Sequence, residues 1–298
     1  MAERNGYMAG VPCWVDTFQP DPDAAADFYG ALFGWETTPV GEPSSSMKYL
    51  MASLRGGDVA GISSLPPGAP QRACWNTYIC VQSADQAAAR ARAAGGSVLS
   101  EPIDVSAAGR IAVLADREGA MFSVFEPGAH RGAQLVNEHG TLTFNGLSTR
   151  DLPGAREFYG ALFGWEARSF TPGMQMWTLR GYGEDLERDN PGLRKLTAEH
   201  GVPGFEDVVA QISLIPADQR QLPANWSITF SVDDADAIAE RARSLGGKVL
   251  APPFDAPWVR MTILADPQGA TFIASQFKPQ RLKSDAEAVG AIGSTRQG

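Results

Sequence analysis

The sequence predicts an α+β protein of two tandem domains, each built from two βαβββ modules whose strands form a curved, cup-shaped mixed sheet. Two internal matches and one spacing carry this prediction. Asp27–Glu36, DFYGALFGWE, returns as Glu157–Glu166, EFYGALFGWE, changed only in its first residue. Arg110–Ala120, RIAVLADREGA, returns as Arg260–Ala270, RMTILADPQGA, so content and order recur in each half of the 298-residue chain. The offset between copies is 130 at Tyr29/Tyr159 but 151 at Trp75/Trp226, which places an insertion of about 20 residues between Trp177 and Trp226. The expected boundaries are a first domain over 8–129, a linker over 130–140, a second domain over 141–279 and a flexible tail over 280–298. The insertion is placed at about 182–205.

The elements follow in order. Val11–Phe18 is rich in β-branched and aromatic residues and reads as a strand. A helix starts near Asp21-Pro22-Asp23, where an acid can cap free amides. Ala24, Ala25, Phe28, Leu32 and Phe33 give it an apolar stripe, and Gly34 ends it. Short strands follow near Trp35–Val40, Met47–Leu54 and Val59–Ser63. The pattern then restarts with a strand over Trp75–Val81, a helix over Ala84–Ala94 stopped by Gly95-Gly96, and strands near Ser97–Leu99, Arg110–Ala115 and Ala120–Phe125. The second domain repeats this order from Thr141 to Phe277. In the insertion, Asn190 as cap, Pro191 at the first helical position and Gly201 just past the end predict a helix. Lying between the third and fourth strands of its module, the insertion is expected to border the second cup.

Composition narrows the partners. Lys and Arg total 25 against 34 Asp and Glu, a net charge of −9, and the basic residues are scattered, which argues against nucleic acid. No apolar run approaches the roughly 18 residues that span a bilayer. Met1–Gly6 lacks the apolar core of a signal peptide, so a cytoplasmic protein is expected. Cys13, Cys74 and Cys80 show no C-x-x-C spacing and predict no disulfide framework. No cofactor and no membrane partner are expected, and the chain is expected to act as a monomer or homodimer.

Paired βαβββ modules, the FYGALFGW helix end and the LAD-x-x-GA turn together resemble the vicinal oxygen chelate superfamily, which includes glyoxalase I, bleomycin-resistance proteins and extradiol dioxygenases. The resemblance spans about residues 10 to 278 and implies cups that bind small molecules. In catalytic members it implies a divalent metal held by His or Glu from the first, fifth and last strands of each domain. Those positions fall on Trp14, Asn76 and Ser123 in the first domain and on Phe144, Ser227 and Ile273 in the second. None is His or Glu, and His130, His139 and His200 lie in the linker and insertion, so no metal site of the family type is expected.

Strand side chains alternate faces, so residues in phase with those positions should line the cups. The first cup is expected to hold Trp14, Asp16, Asn76, Tyr78, Cys80, Arg110, Met121, Ser123 and Phe125, with Val15, Thr77, Ile79, Ile111, Val113, Phe122 and Val124 facing the helices. The second is expected to hold Phe144, Gly146, Ser227, Thr229, Arg260, Ile273 and Ser275, with Trp177, Trp226 and Trp258 nearby. Aromatic walls with a few polar groups suit a small aromatic or apolar ligand carrying an anionic or polar group. Two readings of the first cup stand open: Asp16 and Arg110 form an ion pair, or Asp16 is a desolvated general base with Arg110 as anion anchor. The function expected is metal-independent binding of a small metabolite, as in sequestration or resistance. A metal-free lyase, isomerase or hydroxylase-accessory enzyme and a stress-response protein with vestigial clefts are the alternatives.

Overall fold

The computed structural model describes residues 4–41, 47–66, 72–171, 174–192, 195, 203–219 and 221–278. The first domain runs β1 (Pro12–Gln19), α1 (Pro22–Phe33), β2 (Glu36–Val40), β3 (Tyr49–Leu54), β4 (Gly57–Ser64), β5 (Cys74–Cys80), α2 (Ala84–Ala93), β6 (Ser97–Val105), β7 (Gly109–Ala115) and β8 (Met121–Pro127). The second runs β9 (Thr141–Thr149), α3 (Leu152–Phe163), β10 (Glu166–Thr171), β11 (Met174–Thr178), α4 (Tyr182–Asp189), β12 (Val208–Leu214), β13 (Asn225–Ser231), α5 (Ala235–Ser244), β14 (Lys248–Ala256), β15 (Val259–Ala265) and β16 (Thr271–Phe277). The Asp21 side chain accepts from the amides of Asp23 and Ala24, both at 3.1 Å, a cap that stabilises a helix by about 1 kcal/mol. Gly34 and Gly164 end α1 and α3 in the left-handed conformation, at φ 79° and 74°.

Each domain is one eight-stranded sheet, in the orders β2-β3-β4-β1-β5-β8-β7-β6 and β10-β11-β12-β9-β13-β16-β15-β14. Within a module the first and last strands in chain order pair in parallel, β1 with β4 and β5 with β8, while β1 and β5 join the modules antiparallel. The insertion holds α4 and a 3-10 turn at Phe205–Asp207. Asn190 closes α4, and the body of the helix expected from Asn190 to Gly201 lies outside the described residues, as do His200 and the tail from 279 on. Among the described residues no helix is long and apolar enough to cross a membrane.

The helices form the core by crossing between domains. Phe28, Tyr29 and Phe33 of α1 share one apolar cluster with Phe230, Ile238 and Phe272 of the second domain. Phe158 and Tyr159 of α3 share the other with Ala88, Leu114 and Phe122 of the first. Hydrogen bonds repeat this exchange. The Tyr29 hydroxyl donates to Asp266 at 3.0 Å and accepts from the Trp75 indole at 3.0 Å, while Gln19 donates to Asp266 at 2.6 Å. The Tyr159 hydroxyl donates to Asp116 at 3.0 Å and accepts from the Trp226 indole at 2.9 Å. The helix motif of each repeat therefore meets the turn motif of the other. Both tyrosines are pushed well above their ordinary pKa by burial and by the facing carboxylate, so they act as neutral donors.

Candidate functional site

The register of the first sheet draws eight expected residues together. Asp16 stands opposite Asn76, Trp14 opposite Tyr78, Tyr78 beside Ser123 and Cys80 beside Phe125, while Met121 begins the same face of β8. Tyr78 donates its hydroxyl proton to Asp16 Oδ2 at 2.7 Å, and Asn76 Nδ2 donates to Ser123 Oγ at 2.8 Å. The Trp14 indole donates to the Tyr49 hydroxyl at 3.0 Å. Tyr49, which the sequence reading did not place here, reaches the floor because β4 carries Gly61. A Cβ at Gly61 would meet the Tyr49 oxygen at 2.0 Å and Asp16 Cβ at 2.9 Å.

Asp16 is 1% exposed. Burial raises its pKa to about 7, and the nearby Tyr78, Asn76 and Tyr49 offset only part of that rise. Asn76 and Tyr49 nevertheless make no hydrogen bond of acceptable geometry to Oδ1. Asp16 Oδ1, Asn76 Oδ1 and His130 Nε2 are all buried without a hydrogen-bond partner.

The linker covers this floor. Ala133 N donates to Cys13 O at 2.8 Å and Gln134 N to Asp58 O at 2.7 Å, tying the segment to β1 and β4. The N-terminal strand-like stretch adds a bond from the Tyr7 hydroxyl to Ala133 O at 2.6 Å. His130 lies edge-on to Trp14, with ring centres 4.5 Å apart, and burial lowers its pKa.

Two expectations for the arginines are corrected by the geometry. Arg110 is not in the first cup: its guanidinium bonds Asp85 of α2 at 2.8 Å and Asp104 of β6 at 2.9 Å, so it makes no ion pair with Asp16. Arg260 is likewise held by Asp236 of α5 at 2.6 Å and Asp255 of β14 at 3.1 Å. The phase assigned to β7 was one residue off. Ile111 and Val113 stand beside Phe125 and Ser123 on the cup face, whereas Ala112 and Leu114 pack with the helices. Trp177 and Trp226 lie in the helix-side core against Tyr159, and Trp258 sits in the β14–β15 turn at φ 62°.

The second cup is laid out differently. Phe144 stands opposite Thr229, Gly146 opposite Ser227, and Ile273 beside Thr229. Gly146 is also level with Gln211, Gln211 with Met176, and Met176 with Arg168, which carries this face to the rim at β10. Phe205 of the insertion meets Phe144 and Phe170, with ring centres 6.4 and 5.4 Å apart. Phe144, Ser227 and Ile273 are partly exposed, where their counterparts Trp14, Asn76 and Ser123 are buried. Leu250 and Phe254, on the edge strand β14 of this sheet, are 53% and 40% exposed.

Neither cup suits a metal of the family type. In the first, the Trp14 and Asn76 nitrogens are committed as donors to Tyr49 and Ser123. In the second, Phe144 and Ile273 have no side-chain donor atoms. Among the described residues no three His, Cys, Asp or Glu gather closely enough to hold an ion.

Comparison with known proteins agrees with the architecture. Residues 14–125 match a family described as a glyoxalase-like domain, and residues 141–273 match the glyoxalase/bleomycin resistance protein/dioxygenase superfamily. The chain is 36% identical over 286 residues to CFP32 of Mycobacterium tuberculosis, provisionally named a glyoxylase, covering 94% of this chain and 100% of that one. It is 32% identical over 292 residues to the anthracycline biosynthesis protein DnrV of Streptomyces peucetius, covering 91% of this chain and 95% of the other. It shares its fold with the Mn(II)-bound glyoxalase from Novosphingobium aromaticivorans at a TM-score of 0.57 and 16% identity, covering 90% of this chain and 82% of that one. The 2,3-dioxygenase LapB from Pseudomonas sp. KL28 gives a TM-score of 0.57 at 12% identity, covering 93% and 96%. The chain belongs to the glyoxalase/bleomycin-resistance/dioxygenase superfamily, as a tandem member with aromatic, amide, hydroxyl and aliphatic side chains where the family's metal ligands would stand.

Proposed function

We propose that the protein binds a small aromatic or apolar metabolite bearing a polar or anionic group in its second cup, through a donor set that needs no metal. The observation that carries this reading is the difference in access between matching positions. Trp14, Asn76 and Ser123 are sealed under the linker, whereas Phe144, Ser227 and Ile273 remain open to solvent. Exposed apolar surface on a concave face marks a binding region. Phe144, Phe205, Met261 and Ile273 supply the wall, and Ser227 and Thr229 supply hydroxyls to orient a ligand. Arg168, on the same face at the rim, supplies the positive charge for an anionic group. The similarity to anthracycline biosynthesis proteins supports a fused-ring aromatic as the ligand class.

Titration calorimetry with alizarin and anthraquinone-2-carboxylate tests this. Saturable binding is expected, weakened about tenfold or more by Phe144→Ala, in line with a lost aromatic contact of about 1.4 kcal/mol. Trp14→Phe should leave it unchanged. Binding by neither probe, or binding indifferent to Phe144→Ala, overturns the reading.

A second reading, proton transfer by Asp16, is favoured by one observation, a buried carboxyl with a pKa of about 7 and one oxygen without a partner. If the protein turns over a substrate at this group, Asp16→Asn should slow it by roughly 10²–10⁴ with little change in affinity. Full activity in that variant removes Asp16 from any chemistry.

A further inference from the structure

The first cup holds a buried carboxyl with no cation beside it among the described residues. Asp16 is buried, no basic side chain among the described residues is paired with it, and the one arginine expected there is engaged by Asp85 and Asp104. The titratable groups facing it are Tyr78 of β5, Tyr49 of β3 and Cys74 at the start of β5, and none of them carries positive charge. His130 of the linker, its pKa lowered by burial against the opposing pull of Asp58 at 3.9 Å from Nδ1, lies edge-on to Trp14 with Nε2 unpartnered. Buried carboxylates are ordinarily paired, and the cost of leaving one unpaired is several kcal/mol. The orphan atoms on the floor, Asp16 Oδ1 and Asn76 Oδ1, are both acceptors. The side chains of Trp14, Tyr78 and Phe125 pack together on the same floor.

We infer that the first cup is a binding site for a small N–H-bearing cation, ammonium or a short primary alkylammonium, enclosed beneath the linker. Its N–H groups would donate to Asp16 Oδ1 and Asn76 Oδ1, supplying the hydrogen bonds that the protein does not. The inference is independent of ligand binding in the second cup and of any turnover at Asp16.

Methylammonium chloride is the probe, with potassium chloride at equal ionic strength as the salt control and tetramethylammonium chloride as a cation lacking N–H donors. The Trp14 indole N–H resonance, assigned by its loss in Trp14→Phe, should shift saturably with methylammonium and not with either control. Asp16→Asn keeps the side-chain shape and should weaken the response at least tenfold. A readout in the unmodified protein covers the case in which that variant misfolds. At about pH 6 the cation displaces the carboxyl proton, so calorimetry in two buffers of different ionisation enthalpy should reveal proton release on binding. An equal response to potassium, binding retained in Asp16→Asn, no proton release, or no response to methylammonium at all each overturns the inference.

Discussion

Asp16 is held far from its ordinary ionisation, and its effect on stability has a definite sign. In the unfolded chain an aspartate ionises near pH 3.9, whereas in the fold Asp16 holds its proton to about pH 7. Between those values the unfolded chain has released a proton that the folded chain keeps. Stability attributable to Asp16 therefore falls as pH rises from about 4 to about 7, by an amount on the order of a few kcal/mol, and is level above that window. Denaturant titrations at several pH values should show Asp16→Asn gaining on the parent protein across this window, while parallel pH profiles would count against the burial argument. The cup positions of Trp14, Asp16, Asn76, Tyr78, Ser123 and Phe125 could be read from alternation, because one face of each strand carries plainly larger or more polar groups. Arg110 misled because β7 is apolar on both faces: Ile111 and Val113 are as hydrophobic as Ala112 and Leu114, so alternation carried no phase.

At the scale of elements, the linker decides how the two cups differ. Gly132 sits at φ 100°, and a Cβ there would meet the Cys13 carbonyl oxygen at 2.5 Å and the Tyr7 ring at 2.8 Å. Gly132→Ala should therefore destabilise the protein by about 1–3 kcal/mol and loosen the linker from the first cup. Denaturation should show the loss, and faster hydrogen exchange at the Trp14 indole should show the opening. Unchanged exchange would mean that the linker does not seal the cup. The two repeats place a linker between the copies but carry no signal of its path. Small residues such as Gly132 and Ala133 have no periodic pattern, and their contacts with Cys13 and Asp58 join positions far apart in the chain. The same holds for Phe205, whose edge-on contact with Phe144 brings the insertion to the second cup without any local signal.

At the scale of the molecule, the exchange of helices between domains predicts that neither domain is an independent folding unit. The first domain alone would expose Phe28, Tyr29 and Phe33, which pack on Phe230 and Phe272 of the second. Calorimetry should show one cooperative transition, and two separated transitions would contradict the shared cores. Tyr29→Phe and Tyr159→Phe each remove a hydrogen bond to a buried aspartate, so each should lower that same transition, at a cost of about 1–3 kcal/mol. The repeats announced two domains, but nothing local in either motif reveals that its partner lies in the other copy. That reciprocity has a consequence for how such a chain can arise. A single repeat holds both a tyrosine seeking an aspartate and an aspartate seeking a tyrosine, so it is self-complementary about a two-fold axis. The polypeptide is in effect a homodimer written twice on one strand. Its most faithfully duplicated words are those that must fit their twins, while the cups, which touch no twin, were free to become Asp16 in one half and Gly146 in the other.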